Sequence, residues 1–287
     1  MPGYFNAKEG RRKGTKNKLP VQFSGHHTAV VLLLTTVAKQ PLSYILKKNL
    51  GLSKMKRMAK EASFRKRGGT RFKQDFHHPV LKEGLRGHTG PTDISDHLST
   101  LFFFTIDAKP KLIVELGTRG GESTRALLAA AAVADATMLS VDIEDCTGLD
   151  LPHRDRWNFM KADDVAFAKK GFAKWCADKG LKPQVDVLFI DTSHFYEHTK
   201  QELAAWSPLL SPNGIMLFHD TNMRRGMTAR MDQSISIGID NDRGVIRALE
   251  EFLGKRYDEN RFFTDIANGF LVMHYAHCNG MTLVKKI

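Results

Sequence analysis

Residues 114–124 read VELGTRGGEST, and this stretch decides the fold. A short apolar run, KLIVELG, enters a cluster of glycines, and STRALLAAAAVA follows it with the composition of a helix. Glycine lets a backbone approach a ligand closely, and the start of a helix offers free N–H groups. The spacing is neither that of a P-loop nor G-x-G-x-x-G. Taken alone, the stretch therefore predicts either a ligand-binding loop or only a tight turn.

Strand-like and helix-like runs alternate after this loop. TMLSVDI, a segment that ends at Asn158–Lys161, VDVLFID and IMLFHD predict strands, and helices are predicted at 165–179, 197–210 and 245–253. Such alternation favours right-handed crossovers and a parallel sheet. At the end, DIANGFLVMHY and MTLVKKI predict two strands joined across Cys278-Asn279-Gly280, an Asn-Gly hairpin signal. We therefore expect an α/β, Rossmann-like, doubly wound sheet that is mainly parallel and carries a C-terminal antiparallel hairpin.

An acidic residue follows four successive predicted strands. Asp142 ends the strand after the glycine cluster, and Asp163, Asp191 and Asp220 follow the next three. Folds of this class bind ligands at the carboxyl ends of their parallel strands, and a carboxylate at the position of Asp142 can accept both hydroxyls of a ribose. Asp163 or its backbone could meet an adenine amino group. Each acid alone is better interpreted as an ordinary loop or helix-cap residue, so the prediction depends on the series of four.

With these motifs the sequence resembles the class I S-adenosylmethionine-dependent methyltransferases. VELGTRGG fits their first motif, E-x-G-x-x-x-G, with Glu115, Gly117 and Gly121. Residues 185–221, VDVLFIDTSHFYEHTKQELAAWSPLLSPNGIMLFHDT, look like the small-molecule O-methyltransferases of the cephalosporin hydroxylase-like and catechol-type group. The resemblance covers residues 111–287. It implies a seven-stranded sheet whose last two strands include the antiparallel one.

The resemblance also implies a cofactor, S-adenosylmethionine, and a set of site residues. The implied cofactor-binding residues are Glu115, Gly117, Thr118, Gly121, Ser123, Asp142, Asp163 and Asp191. In metal-dependent members, acids after the fourth and fifth strands bind magnesium, and the matching positions are Asp191, His219 and Asp220. His219 departs from that pattern, because imidazole is a poor ligand for Mg²⁺. Another divalent cation, such as Mn²⁺ or Zn²⁺, would suit this set better.

Two histidines are candidate catalytic bases. Methyl transfer to a hydroxyl needs an in-line acceptor whose proton is removed by a base or whose pKa is lowered by a metal. His194 lies three residues beyond Asp191, in the loop where a substrate should sit, and His219 is the second candidate. The alternative for either is a loop histidine held by backbone groups. Tyr196 and Trp206 could line a pocket, although the helical position of Trp206 favours the core.

The basic residues are concentrated at the N-terminus. Residues 1–73 hold eighteen lysines and arginines and two acids, a net charge of +16, whereas the whole chain carries +12. We interpret residues 1–90 as a basic, partly helical extension and residues 91–287 as the methyltransferase domain. The extension could be solvated, could touch anionic lipid or an anionic substrate with help from the apolar run 29–38, or could contact nucleic acid. It could also reach a second copy in a homo-oligomer.

Cysteine usage and the remaining segments bound the cellular setting. Cys146, Cys176 and Cys278 are far apart and lack CxxC spacing, which fits a reducing compartment, and the run 29–38 is too short to span a bilayer. We therefore expect a cytoplasmic protein.

Residues 221–243 lack an apolar period and predict a lid or substrate loop, in which Arg224, Arg225 and Arg230 pair with an anionic substrate or remain solvated.

Together these patterns predict an S-adenosylmethionine-dependent O-methyltransferase. The acceptor would be a hydroxyl of a small metabolite, such as a sugar unit or phenol of a natural product or glycolipid, with possible help from a metal. The alternatives are an RNA methyltransferase recruited by the basic segment and a relative that binds the cofactor without catalysis.

Overall fold

The computed structural model describes residues 77–88, 90–223, 226–231 and 235–287. Most of the predicted basic extension, residues 1–76, lies outside this part of the chain, as do Arg224 and Arg225. Among the described residues, no helix combines the length and apolar character needed to cross a membrane.

The central feature is an eight-stranded sheet in the order β3-β2-β1-β4-β5-β10-β9-β8. The first five strands in this order are mutually parallel, and the last three run antiparallel to their neighbours. The strand bounds are β1 Leu112–Leu116, β2 Thr137–Asp142, β3 Trp157–Lys161, β4 Val185–Ile190, β5 Leu210–His219, β8 Phe263–Ala267, β9 Phe270–Tyr275 and β10 Met281–Lys286. The predicted doubly wound, Rossmann-like α/β class is thus confirmed.

The helices cover both faces of the sheet. Their bounds are α1 Pro79–Gly84, α2 Leu98–Asp107, α3 Glu122–Ala134, α4 Asp164–Lys170, α5 Phe172–Asp178, α6 Tyr196–Trp206 and α7 Gly244–Leu253, with short 3₁₀ turns at Ser95–His97, Arg154–Arg156 and Ser207–Leu209. The helix predicted over 165–179 is two helices, because Gly171 separates α4 from α5. The 3₁₀ turn at Ser95–His97 leads into α2, which begins at Leu98.

Two hydrophobic layers enclose the sheet because successive strand residues point to opposite faces. Leu112, Val114 and Leu116 of β1 pack in one layer with α4–α7, where Phe172 and Trp206 are fully buried. The alternate residue Ile113 packs in the other layer with α1–α3. β1 is buried at every position, as expected for a central parallel strand covered on both sides. The core position predicted for Trp206 is confirmed.

The strand count differs from the prediction of seven. DIANGFLVMHY, predicted as one strand, is two strands that turn back on each other at Asn268-Gly269. Both residues have positive φ, 48° and 76°, which a two-residue hairpin turn of the I′ type requires. The hairpin predicted across residues 278–280 is present between β9 and β10. The antiparallel part of the sheet therefore has three strands.

The segment 221–243 is also more regular than predicted. It contains β6 Gly226–Ala229 and β7 Ile235–Gly238, which pair antiparallel in a separate two-stranded sheet. Arg230 is 4% exposed, and its Nε donates to the carbonyl of Thr92 at 2.7 Å. The predicted solvated role of Arg230 is therefore wrong.

Helix α1 packs on the domain, although the sequence assigned it to the extension. Leu81 and Leu85 are fully buried in the layer that contains the alanines of α3, and a Cβ at Gly84 would lie 3.3 Å from the Cβ of Ala129. Helix α1, which begins at Pro79, therefore belongs to the same hydrophobic layer as α3.

This packing predicts a stability difference between two neighbouring residues of α1. Leu81→Ala should lower the free energy of unfolding by about 2–5 kcal/mol, because it leaves a cavity against α3. Lys82→Ala, at an exposed position of the same helix, should change it by less than about 0.5 kcal/mol. Urea unfolding followed by circular dichroism measures both. Equal effects of the two substitutions would mean that α1 does not pack on the domain.

Candidate functional site

The loop between β1 and α3 lies close to the end of β4. Gly117 has a φ of 85°, and a Cβ there would overlap the carbonyl oxygen of Asp191. Gly121 also has a positive φ, 79°, and immediately precedes α3. Glycine tolerates both the conformation and the close approach, whereas other residues would be strained. The two glycines of the predicted motif therefore shape a tight loop at the carboxyl edge of the sheet.

Glu115 organises the base of this loop. Its fully buried carboxylate accepts hydrogen bonds from the hydroxyls of Ser123 at 2.7 Å, Thr124 at 2.8 Å and Ser140 at 2.6 Å. Burial raises the pKa of Glu115 to about 7, while the three hydroxyl donors favour the charged form. The carboxylate thus ties the start of α3 to β2, and its hydrogen bonds are made inside the protein.

Asp142 joins the loop to the end of β2. Its Oδ2 accepts from the backbone N–H of Thr118 at 2.7 Å and of Arg119 at 3.2 Å, and its Oδ1 accepts from the N–H of Glu144 at 2.9 Å. The structure therefore brings the glycine loop and the acid predicted to hold a ribose into direct contact.

A cavity of about 440 Å³ opens beside this contact. The predicted site residues that line it are Gly117, Thr118, Ser123, Asp142, Asp163, Asp191 and His194. Asp163 has part of its carboxylate committed to α4, because Oδ1 accepts from the N–H of Ala166 at 2.7 Å. Four predicted site residues do not line the cavity: Glu115, Gly121, His219 and Asp220. Any effect of these residues on a bound ligand would be indirect, through the residues that do line the cavity.

The sequence analysis missed several residues at the cavity. Ile143, directly after Asp142, is 72% exposed and presents an apolar surface to the cavity. His198, on α6, also lines the cavity and lies four residues after His194, a spacing that is visible in the sequence. Arg119 makes a bidentate ion pair with Asp93, at 2.9 and 2.8 Å, which ties the segment before α2 to the glycine loop.

Asp191, His194, His219 and Asp220 form one cluster at the ends of β4 and β5. His194 Nδ1 lies 2.9 Å from Asp220 Oδ2 and 3.8 Å from Asp191 Oδ1. His194 and Asp220 both have positive φ, 64° and 57°. Burial opposes protonation of His194, but the hydrogen bond and charge of Asp220 and the charge of Asp191 outweigh it and raise the pKa of His194. The arrangement can orient His194 and hold a proton on Nδ1.

His219 is enclosed by the same carboxylates. Its Nε2 is 3.3 Å from the carbonyl of Cys278, and its Nδ1 is 3.3 Å from Asp191 Oδ1 and 3.4 Å from Asp220 Oδ2. If Nε2–H donates to the carbonyl, the Nδ1 lone pair faces two carboxylate oxygens, which requires a proton or a metal ion between them. Burial disfavours the charged form of His219, but Asp220 and Asp191 outweigh burial and raise its pKa well above the ordinary value.

The donor set of this cluster fits a divalent cation. Asp191, His219 and Asp220 each offer one ligand atom within a group whose members all lie within 4.8 Å of one another. Asp220 is 4% exposed, and its Oδ1 has no hydrogen-bond partner among the described residues. Two carboxylates with an imidazole suit Mn²⁺ or Zn²⁺ better than Mg²⁺. The predicted metal residues are thus brought together.

Tyr196 is not among the residues that line the cavity. Its hydroxyl donates to the carboxylate of Glu251, and its ring lies 4.1 Å from the guanidinium of Arg247. The structure therefore does not place Tyr196 as a pocket residue.

The sequence profile of a family described as "Methyltransferase domain" matches residues 114–221, which run from β1 to the residue after Asp220. The uncharacterized protein y4gI of Sinorhizobium fredii (strain NBRC 101917 / NGR234) is 28% identical over 131 residues, which are 40% of this chain. The matched region spans only 14% of that relative.

Several solved structures align with part of the chain. A methyltransferase from Geobacter sulfurreducens aligns with a TM-score of 0.45 and 17% identity, covering 74% of this chain and 91% of its own. CalS11, a TDP-rhamnose 3'-O-methyltransferase of calicheamicin biosynthesis, aligns with a TM-score of 0.42 and 14% identity. The alignment covers 73% of this chain and 88% of CalS11. MycE, a methyltransferase of the mycinamycin biosynthetic pathway, aligns with a TM-score of 0.45 and 18% identity, in a structure that contains Mg, SAH and mycinamycin VI. The alignment covers 73% of this chain and 55% of MycE. Their substrates and metals are properties of those proteins.

The burial of Glu115 predicts a pH-dependent stability. Its pKa of about 7 in the folded chain, against 4.5 as the ordinary value, means that the folded state binds the proton more tightly than the unfolded state. The contribution of Glu115 to the free energy of unfolding is therefore fully present below pH 4.5 and is lost as the pH rises to about 7. Relative to Glu115→Gln, wild type should lose about 3 kcal/mol over this range.

Urea unfolding of both proteins at pH 4.5 and pH 7.5 measures the difference. Glu144→Gln, at an exposed position beside the same site, is the control and should follow wild type at both values. Parallel stabilities of wild type and Glu115→Gln would show that the Glu115 carboxylate is no harder to ionise in the folded chain than in the unfolded one.

Proposed function

We propose that residues 114–221, which match the sequence profile of a methyltransferase domain, are of the class I, S-adenosylmethionine-dependent type and that the chain methylates a hydroxyl oxygen of a small metabolite. The contact between Asp142 and the glycine loop, at the edge of a cavity of about 440 Å³, carries the proposal. A sugar unit or a phenol of a natural product or glycolipid is the acceptor class that we favour.

The cavity has the groups that a nucleoside requires. Asp142 holds the loop through Oδ2, which accepts two backbone N–H groups, while Oδ1 accepts one and retains acceptor capacity for a ribose hydroxyl. Ile143 offers an apolar surface for the adenine ring beside it. Gly117 and Thr118 line the part of the cavity formed by the glycine loop, where we place the methionine end of the cofactor. Glu115 acts indirectly, since it shapes the loop from below.

His194 is the base in the proposed mechanism. The bound cofactor supplies a methyl group on an electrophilic sulfonium. Asp220 accepts the Nδ1–H of His194, which leaves Nε2 free to take the proton of an acceptor hydroxyl. The deprotonated oxygen would accept the methyl group that the bound cofactor supplies, and His194 would hold the proton until solvent removes it. His219 is the weaker candidate, because it is 1% exposed and is not among the cavity residues.

A metal would sit at Asp191, His219 and Asp220. When bound, it would supply positive charge near the acceptor oxygen and lower the pKa of its hydroxyl. Methyl-transfer activity is measured after the metal is removed with a chelator and again after Mn²⁺, Zn²⁺ or Mg²⁺ is added back. A loss of activity that one of these ions restores would show that the reaction depends on the metal.

We place the reaction in the cytoplasm, because Cys146, Cys176 and Cys278 are free and buried, as expected in a reducing compartment. The basic segment 1–73 remains the candidate contact for an anionic substrate, a membrane surface, nucleic acid or a second copy. Gel shifts with RNA, for the full chain and for a chain lacking residues 1–73, separate the nucleic-acid alternative from the small-molecule one.

Calorimetry with S-adenosylmethionine tests the nucleoside site. Asp142→Ala should weaken binding by about ten- to a hundredfold, because the hydrogen bond from a ribose hydroxyl to a charged group is lost. Asp155→Asn, an exposed residue that does not line the cavity, should bind like wild type. An unchanged dissociation constant for Asp142→Ala would contradict the proposed site.

Replacement of His194 tests the base. His194→Ala should reduce kcat by about 10²–10⁴-fold and leave the dissociation constant for S-adenosylmethionine within about twofold of wild type, because the side chain acts on the acceptor proton. Transfer of a labelled methyl group onto sugar nucleotides and phenols measures kcat, and the exposed His88→Ala is the control. Turnover by His194→Ala equal to that of the control would remove His194 from the mechanism.

A further inference from the structure

A second cluster of ligand-type side chains lies in the cavity wall. Asp164 is the first residue of α4, and His198 and Glu202 lie one turn apart on α6, so that they share a helix face. His198 Nε2 is 3.4 Å from Asp164 Oδ1 and 3.4 Å from Glu202 Oε1. None of the three belongs to the Asp191, His219 and Asp220 cluster, and the proposed methyl transfer uses none of them.

The two carboxylates are buried with too few partners. Glu202 is fully buried and Asp164 is 6% exposed. Glu202 Oε1 accepts from the hydroxyl of Thr192 at 2.7 Å, and Asp164 Oδ1 accepts from the N–H of Val165 at 2.7 Å. The other oxygen of each carboxylate, Glu202 Oε2 and Asp164 Oδ2, accepts no hydrogen bond from an N–H or hydroxyl donor of the described residues. The two carboxyls lie close enough to share a proton, which is the alternative to a bound ion. Buried charge of this kind is costly unless a cation or a proton neutralises it.

The spacing of the three groups favours a metal ion over direct ion pairs. Charge-assisted hydrogen bonds between a protonated nitrogen and a carboxylate measure about 2.7–2.9 Å, whereas both contacts of His198 here are 3.4 Å. With metal–ligand bonds of about 2.0–2.2 Å, neighbouring ligand atoms on one ion are about 3.0–3.5 Å apart. In the described chain, His198 is the only cationic side chain in ion-pair contact with either carboxylate.

The cluster is also accessible. Asp164 and His198 line the cavity, and the side chain of His198 is 31% exposed, so an ion could enter from the cavity and keep an open coordination position. One imidazole and two carboxylates favour a borderline transition metal such as Zn²⁺ or Mn²⁺ over Mg²⁺ or Ca²⁺.

We propose that Asp164, His198 and Glu202 bind a divalent transition-metal ion at a site separate from the Asp191, His219 and Asp220 cluster. The ion links α4 to α6 and fixes the cavity wall between them. This inference does not depend on methyl transfer, because ion binding at these residues can be measured without cofactor or acceptor.

The ion count of the full chain tests the proposal. The protein is stripped with a chelator, dialysed against Zn²⁺ at a fixed free concentration, and analysed for zinc per chain. Glu202→Gln and His198→Asn should each bind one ion fewer than wild type. Glu197→Gln, at an exposed position of α6, should retain the wild-type count, and His219→Ala should retain the ion bound at the Asp164 cluster.

The isosteric Glu202→Gln and the partly exposed His198→Asn are chosen to preserve the fold, which circular dichroism checks. A Zn²⁺-dependent rise in the melting temperature that is present in Glu197→Gln and smaller in Glu202→Gln would support the same conclusion. Equal zinc counts in wild type, Glu202→Gln and His198→Asn would overturn it and would mean that a proton, shared with His198, neutralises the carboxylates.

Discussion

The contact of the β1–α3 loop with the ends of its two neighbouring strands is the constraint on which the site depends. On one side, the backbone at Gly117 lies against the carbonyl of Asp191, and on the other, the N–H of Thr118 donates to Asp142. These contacts bring the ends of β1, β2 and β4 to one edge. The cavity exists because parallel strands end together there and the glycine loop leaves space above them.

A layer of buried polar groups supports this edge. Glu115 accepts hydrogen bonds from three hydroxyls beneath the loop. At the ends of β4 and β5, Asp191 and Asp220 contact the buried His219. Groups of this kind cost free energy when they are incompletely paired, and they are tolerated where they fix a functional geometry. The cavity wall is therefore held by directional bonds, whereas the two hydrophobic layers hold the sheet behind it.

The sequence predicted the parts of the molecule that local pattern determines. Glycines at a strand-to-helix turn and acids after successive strands located Gly117 and Asp142 at one edge, because strand ends in a parallel sheet converge. It did not show that Glu115 bonds to Ser140, since their proximity arises from the pairing of β1 with β2. The cluster of Asp164 with His198 likewise depends on how α4 packs on α6. The extra strand was missed because Asn268-Gly269 lies inside an otherwise continuous strand pattern.

A crystal structure of the chain with S-adenosylhomocysteine tests the central claim most directly. The account predicts the nucleoside in the cavity beside Ile143, with a ribose hydroxyl within hydrogen-bond distance of Asp142 Oδ1 and the amino-acid end against the loop at Gly117 and Thr118. A nucleoside bound elsewhere, or a ribose that does not touch Asp142, would contradict it.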